Sequence, residues 1–393
     1  MKALATLWDK PTFLAIGLMS GTSADGMDAA LVEIDGWGLS TKVRQHGFVS
    51  LPYSPELREA ILRLAGGESG GTHEACLFHF LMGKLSLDAC LEVCRQAGVE
   101  PEAVDFVGSH GQTLYHAPDM EDYLGFAVRG TLQLGEPSVI CEGMGCPVVS
   151  DFRVRDLAAG GSGAPLVPYT EYLLYRDPAA TVGLQNVGGI GNLTVLPRGG
   201  GLADTYAFDT GPGNMVMDAL AYRMTGGRLR WDEGGTLAAS GAASEALLAF
   251  LLDDDYLQTP PPKTTGRERY GDAYVKRLIL RGEELGLSMA DMLATATRFT
   301  AECVRLGVER FCAVPPDRLI VGGGGSRNPT LLGYLRRSLP MPVLTNEDVG
   351  LDSDAKEAVA FAVLANECLH GVCNNVPAAT GARHPVVMGK VSL

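Results

Sequence analysis

The sequence predicts an α/β protein made of two halves, and three observations carry that expectation. A strand, a Gly-rich polar turn and a second strand occur twice, first as 13–19 and 29–34 around the turn 20–26. The same pattern returns as 181–187 and 193–196 around Gly188-Gly189-Ile190-Gly191-Asn192. The repeat distance of about 170 residues is too long for a solenoid and reads as a duplicated domain. With 393 residues the chain can bury two cores. No Pro/Gly/Ser-rich linker stands out, which predicts packed, hinged domains. The expected division is 1–155, rejoined by 376–393, and 156–375.

In chain order, residues 55–66 and 74–97 have helical periodicity, with Pro55 in the first turn and Gly98 beyond the second helix. Residues 104–108 read as a strand leading into Ser109-His110-Gly111-Gln112-Thr113. Residues 124–134 alternate like a strand, 136–145 form a short helix, and Gly160-Gly161-Ser162-Gly163 reads as a flexible crossover between halves. Residues 243–252 and 272–312 are helical. Residues 318–321 form a strand running into Gly322-Gly323-Gly324-Gly325, and 353–371 form a helix ending near Gly371.

Composition narrows the function classes. The 46 acidic residues outnumber the 32 basic ones, a net charge of −14, which argues against a nucleic-acid partner. No segment has the roughly 18 apolar residues of a membrane helix. The first sixteen residues lack a secretory pattern. The nine cysteines are scattered, without zinc spacing. These features predict a cytoplasmic protein with reduced thiols. Glycine is the outlier at 50 residues, against a usual share of roughly 7%.

Three glycine clusters sit at strand ends. In Ser20-Gly21-Thr22-Ser23-Ala24-Asp25-Gly26-Met27-Asp28 the backbone N–H groups and hydroxyls can converge on phosphate. Asp25 and Asp28 fit there only if Mg²⁺ lies between carboxylate and phosphate, with Asp25 holding it through water. A polar hairpin turn would use the same residue types. Asn186, Gly188 and Gly189 form the corresponding turn of the second half. Gly323 and Gly324 end a buried strand where open α/β sheets bind ligands. In Phe208-Asp209-Thr210-Gly211-Pro212-Gly213-Asn214, Asp209 ends a strand and can take a proton from water or a hydroxyl. Asp209 could instead cap the following helix, although Asn214 lies nearer the helix start.

The remaining polar clusters admit two readings each. Ser109 and His110 contact substrate or line a hinge. Arg153, within Asp151–Asp156, binds substrate or joins internal ion pairs. Lys263 and Arg267 grip an anion or lie in a surface loop. Glu357 binds a sugar or pairs beside Lys356.

Taken together, GLMSGTSADGMDAALVEI, GSHGQT, SDFRVRDLAAGGSGAPLVP, QNVGGIGN, FDTGPGNMVMDA, PKTTGRERYG, VGGGGSRNPTL and KEAVAFAVLA resemble the anhydro-N-acetylmuramic acid kinases. They span residues 16 to 366 in the family's order. The resemblance implies the two-domain actin-like, sugar-kinase (ribonuclease H-like) fold, with mixed sheets and an interdomain ATP cleft. It implies ATP phosphates on Gly21–Asp28, with Asn186, Gly188, Gly189, Gly211, Gly213 and Asn214 facing them and Gly323 and Gly324 near adenosine. Asp209 falls on the catalytic base and Glu357 on a substrate-contacting carboxylate. Ser109, His110 and Arg153 are assigned to the same sugar.

The implied reaction phosphorylates 1,6-anhydro-N-acetylmuramic acid with Mg-ATP, giving N-acetylmuramic acid 6-phosphate in peptidoglycan recycling. The bridged sugar has no free O6 hydroxyl, so Asp209 would deprotonate the water that attacks C1 while O6 leaves toward the γ-phosphate. A levoglucosan-type kinase would open the same bridge in a plain anhydroglucose. A nucleotide switch of the actin or Hsp70 type would hydrolyse ATP independently of sugar. The stretch 117–125 reads as an insertion beside the substrate entrance, and a homodimer is left open.

Overall fold

The computed structural model describes residues 10–21, 24–66 and 71–393. Its strands are β1 (Thr12–Ser20), β2 (Gly26–Asp35), β3 (Lys42–Pro52), β4 (Phe106–Tyr123), β5 (Phe126–Leu134) and β6 (Val148–Ser150). These are followed by β7 (Val182–Val187), β8 (Ile190–Leu196), β9 (Tyr206–Pro212), β10 (Arg318–Gly322), β11 (Val343–Thr345) and β12 (Lys390–Ser392). The chain divides into two compact units, Met1–Leu174 with Asp354–Leu393, and Tyr175–Ser353.

In the first unit the apolar runs on both sides of the 21–25 turn pair as an antiparallel hairpin, Ile16 opposite Leu31 and Gly17 opposite Ala30. Both strands are buried along consecutive residues, as expected where a sheet is covered on both faces. The sheet order is β12-β6-β4-β1-β2-β3, with β5 on β4. Strand β4 runs parallel to β1. On one face, Ile16, Leu18 and Leu31 join a core with Phe78, Met82 and Val93 of the helix Gly71–Ala97.

The helix Lys356–Leu369 also belongs to this unit and is buried over its whole middle. Its approach to the sheet is extreme. A Cβ on Gly17 would overlap the carbonyl oxygen of Ala358, and one on Gly108 would overlap that of Phe361. Gly17 is therefore occupied by packing rather than by a ligand.

Two buried carboxylates explain why the units part at 174/175 and 353/354 rather than at the 155/156 and 375/376 read from the sequence. Asp156 accepts from Asn375 Nδ2 (2.7 Å), Thr380 Oγ1 (2.8 Å) and Gly163 N–H (2.8 Å). Glu367 accepts from Thr41 Oγ1 (2.9 Å), Tyr169 Oη (3.1 Å) and Gly38 N–H. Each binds distant segments into one sheet-centred unit. The first also corrects the reading of 160–163 as a flexible crossover. That turn folds around Asp156, and Ser162 N–H donates to Thr380 O at 2.7 Å.

Strand β4 continues through Ser109–Thr113 and pairs with β5 in a hairpin containing two register shifts. The inserted-looking stretch 117–125 is the end of that hairpin, with Met120, Tyr123, Leu124 and Phe126 exposed. Its strand character is masked in sequence because His110 and Gln112 are buried polar residues.

The second unit is the sheet β11-β10-β7-β8-β9. Strands β7, β8 and β9 form an antiparallel meander, and β10 runs parallel to β7. Phe208, Leu193, Val216 and Phe299 lie in its core. The single helical run expected over 272–312 is two helices, Asp272–Glu284 and Met289–Phe311. Gly286, at φ +69°, ends the first, with Leu287 N–H on Gly282 O. Ser288 and Asp291 form a capping box on the second.

Candidate active site

The β1–β2 turn is braced from outside itself. Ser20 Oγ donates to Gln112 Oε1 at 2.6 Å and meets the Tyr53 hydroxyl at 2.8 Å. Gln112 Nε2 donates to Gly21 O at 3.2 Å. Ala24 N–H reaches Gly21 O with Ala24 at φ +53°, a conformation that costs energy for a residue with a Cβ. Asp25 is exposed and pairs with Arg58 at 3.4 Å. Burial raises the Asp28 pKa, opposed by a hydrogen bond to Ser50. Met27 is 2% exposed and packs in the core of this unit, paired with Leu51 in the sheet. Thr22 and Ser23 lie outside the described residues.

A second cluster in this unit joins three of the expected sugar-contacting residues. Arg153 Nε and Nη2 donate to His110 Nε2 at 3.1 and 2.9 Å, and Nη1 donates to Gly163 O at 2.7 Å. Burial, with the Arg153 charge second, lowers the His110 pKa to about 3. The ring is thus neutral, with its proton on Nδ1. Burial lowers the Arg153 pKa, and the Glu357 charge opposes that shift. Glu357 is exposed in the first turn of its helix, while Phe361 on the same helix packs 4.8 Å from the His110 ring. Ser109 is buried in β4 opposite Leu18. Among the described residues, no ion pair joins members of the run Asp151–Asp156 to one another. Asp151 pairs with Lys390 at 2.8 Å, Arg153 binds a neutral histidine, and Asp156 binds neutral donors.

In the second unit the three glycine turns meet at one end of the sheet. Asn214 N–H donates to Gly188 O (2.7 Å), and Gly213 and Met215 N–H donate to Gly189 O (3.0 and 3.1 Å). Asn214 Nδ2 donates to Val187 O at 3.0 Å, so Asn214 ties turns together and does not cap its helix. A Cβ on Gly323 would stand 2.6 Å from Asn186 Oδ1, and one on Gly213 would overlap Gly188 O. Gly211 is filled from behind by Cys303 at 3.2 Å. Beside these turns lies a cleft of 440 Å³ lined by Asn214, Asp218, Trp231, Asp232, Gly324 and Arg327, among others.

Asp209 sits on β9 against the segment 259–266. Its Oδ2 accepts Thr265 N–H at 2.9 Å, its N–H donates to Lys263 O, and its carbonyl accepts the Tyr256 hydroxyl at 2.9 Å. It caps no helix. Burial raises its pKa, against the Thr265 hydrogen bond and the Lys263 charge. A carboxylate so held, with Oδ1 left over among the described residues, has the properties of a general base.

The family model described as anhydro-N-acetylmuramic acid kinase matches residues 13–393. The chain belongs to the anhydro-N-acetylmuramic acid kinase family. A relative of that name from Caldanaerobacter subterraneus subsp. tengcongensis is 50% identical over the full length of both chains. Another from Clostridioides difficile is 42% identical over 96% of this chain and 98% of its own. A solved ROK family glucokinase from Streptomyces griseus aligns with 90% of this chain and 99% of its own, at 15% identity and a TM-score of 0.34. A likeness that distant adds nothing to the site.

In this family member the expected phosphate-binding residues fall into two groups, Gly21 and Ala24–Asp28 in the first unit and Asn186, Gly188, Gly189, Gly211, Gly213, Asn214, Gly323 and Gly324 in the second. Lys263 departs from the expected anion grip. It is 7% exposed and turned into the protein, while Arg267 is exposed. Sequence reasoning missed Tyr53, Arg58 and Trp231, which stand outside any motif, and Asp218, which lies inside FDTGPGNMVMDA without being singled out there. Gln112 was within reach, because it lies inside GSHGQT. Among the described residues, no helix is long and apolar enough to cross a membrane, and no group of three or more His, Cys, Asp or Glu is placed to hold a metal ion.

Proposed function

We propose that this kinase opens the 1,6-anhydro bridge of anhydro-N-acetylmuramic acid and phosphorylates O6 with ATP, in the cytoplasm. The observation that carries the mechanism is the Asp209 carboxylate, anchored through one oxygen by Thr265 N–H. Asp209 takes a proton from water, the water oxygen bonds C1, and the C1–O6 bond breaks. O6 accepts the γ-phosphoryl group and ADP leaves, so atoms and charge balance.

Glycine turns 186–189, 211–214 and 323–324 offer closely packed backbone to the nucleotide, and Gly21, Asp25 and Gly26 belong to the segment that the sequence reading assigns to its phosphates. Arg153 and Glu357 supply a fixed cation and a carboxylate for the sugar, with His110 holding the guanidinium in place. Ser109, buried behind them, supports β4. Asp25 and Asp28 suit Mg²⁺, an ion bound by few carboxylates and mostly through water and phosphate oxygens. When bound, that ion would neutralise charge on the phosphates.

The test is turnover in ¹⁸O-water followed by mass spectrometry. The reading expects label at C1 of a 6-phosphorylated product. A phosphorylated sugar with its bridge intact overturns it, and preferred turnover of levoglucosan reassigns the substrate. Asp209→Asn is expected to keep nucleotide binding and lose turnover by about 10²–10⁴-fold.

A further inference from the structure

Lys263 is buried, yet among the described residues no carboxylate pairs with its ammonium. Nζ donates to Tyr256 O at 3.2 Å and lies 4.5 Å from the Tyr256 ring centroid and 4.4 Å from that of Phe311. Such a cage would accept a methionine without the cost of desolvating a charge. Packing alone therefore gives no reason for lysine. The segment that carries it is the one that grips Asp209. Lys263 O accepts the Asp209 N–H, and Thr265, two residues on, donates to the carboxylate.

We propose that Lys263 is a positioning residue for Asp209, its buried charge keeping that carboxylate in the proton-accepting form without itself touching substrate. This rests on the reading of Asp209 as the base.

The other groups facing Lys263 leave Asp209 as the natural beneficiary. Asp254 faces it too, but already holds Arg269 Nε at 3.0 Å and the Tyr270 hydroxyl at 3.1 Å. Cys303, on the helix Met289–Phe311, is a buried thiol whose pKa is raised by desolvation, so it stays uncharged. Arg310, on the same helix, is bound to Leu257 O and Gln258 Oε1. Tyr256, whose ring forms one wall, is kept protonated by burial and by the Asp209 charge. Burial lowers the Lys263 pKa, with the Arg310 charge adding to this and Cys303, Asp209 and Asp254 opposing.

The test is a carboxyl ¹³C titration of the full chain labelled at aspartate, with the Asp209 signal assigned by its loss in Asp209→Asn. Lys263→Met removes charge and hydrogen bond, whereas Lys263→Gln removes the charge but retains a donor for Tyr256 O. Lys263→Arg keeps a cation. The Asp209 midpoint is expected to rise in each neutral variant that folds, and to stay near wild type in Lys263→Arg. An unchanged midpoint in Lys263→Gln or Lys263→Met overturns the inference, as does an equal shift in Lys263→Arg. The acid limb of kcat/KM for the anhydrosugar should follow the midpoint. If the midpoint moves and the limb does not, Asp209 is not the base, and the proposed mechanism fails while the electrostatic role of Lys263 stands.

Discussion

Asp218 lines the 440 Å³ cleft in a setting that disfavours its charge. Burial, and then the neighbouring Asp232, raise its pKa to about 6 from an ordinary 3.8. Asp232 accepts from Leu237 and Ala238 N–H at 2.8 and 2.9 Å. Between pH 3.8 and 6 the folded protein binds more protons at Asp218 than the unfolded chain, so stability falls as pH rises through that window. The deficit persists above pH 6. Asp218→Asn is therefore expected to raise Tm at pH 7.5 by roughly 2–4 °C, with the gain closing as pH approaches 4. A gain of equal size at both ends, seen by scanning calorimetry, would contradict the electrostatic cause. Asp218 lies inside FDTGPGNMVMDA but could not be singled out there, since its raised pKa comes from burial first and from Asp232 second. Asp209 was singled out in the sequence as a strand-end carboxylate before Gly-Pro-Gly, whereas β9 runs on to Pro212 and places it mid-strand. Lys263 was read by its charge as a ligand grip or part of a surface loop, and the aromatic rings of Tyr256 and Phe311 explain why it turns inward instead.

At the scale of elements, the contact between the helix Lys356–Leu369 and the first sheet is set by two missing side chains. Gly17→Ala or Gly108→Ala would force the helix backbone away at Ala358 or Phe361. Either should cost about 1–3 kcal/mol in urea unfolding. Gly130→Ala on β5, where a Cβ meets nothing within 4 Å, should change stability by less than about 0.5 kcal/mol. Equal effects at Gly17 and Gly130 would refute the packing role. The hairpins β1–β2 and β7–β8 could be read from their apolar runs and Gly-rich turns. Strand β4 could not be followed past Gly108, because its inner positions there are His110 and Gln112 rather than apolar residues. The 160–163 turn was misread for a related reason. Glycine composition signals freedom, but here it makes room for the Asp156 carboxylate.

At the scale of the molecule, the second unit is one continuous segment and the first is assembled from both ends of the chain. Residues 175–353 contain a complete sheet and core and are expected to fold alone, with a cooperative thermal transition by circular dichroism. Residues 10–174 alone lack the helix that covers Gly17 and Gly108, and also lack the Asn375 and Thr380 partners of Asp156. They are expected to show no such transition. The reverse result would overturn this division. The duplication was legible, but the points of exchange were not, because they depend on which distant groups satisfy Asp156 and Glu367. The arrangement also sets a schedule for synthesis. A ribosome adding roughly 5–20 residues per second takes on the order of 10–40 s to pass through the second unit before the helix with Ala358 and Phe361 emerges. For that interval the N-terminal strands wait with one face uncovered, and a stretch made after the second unit completes the unit begun first.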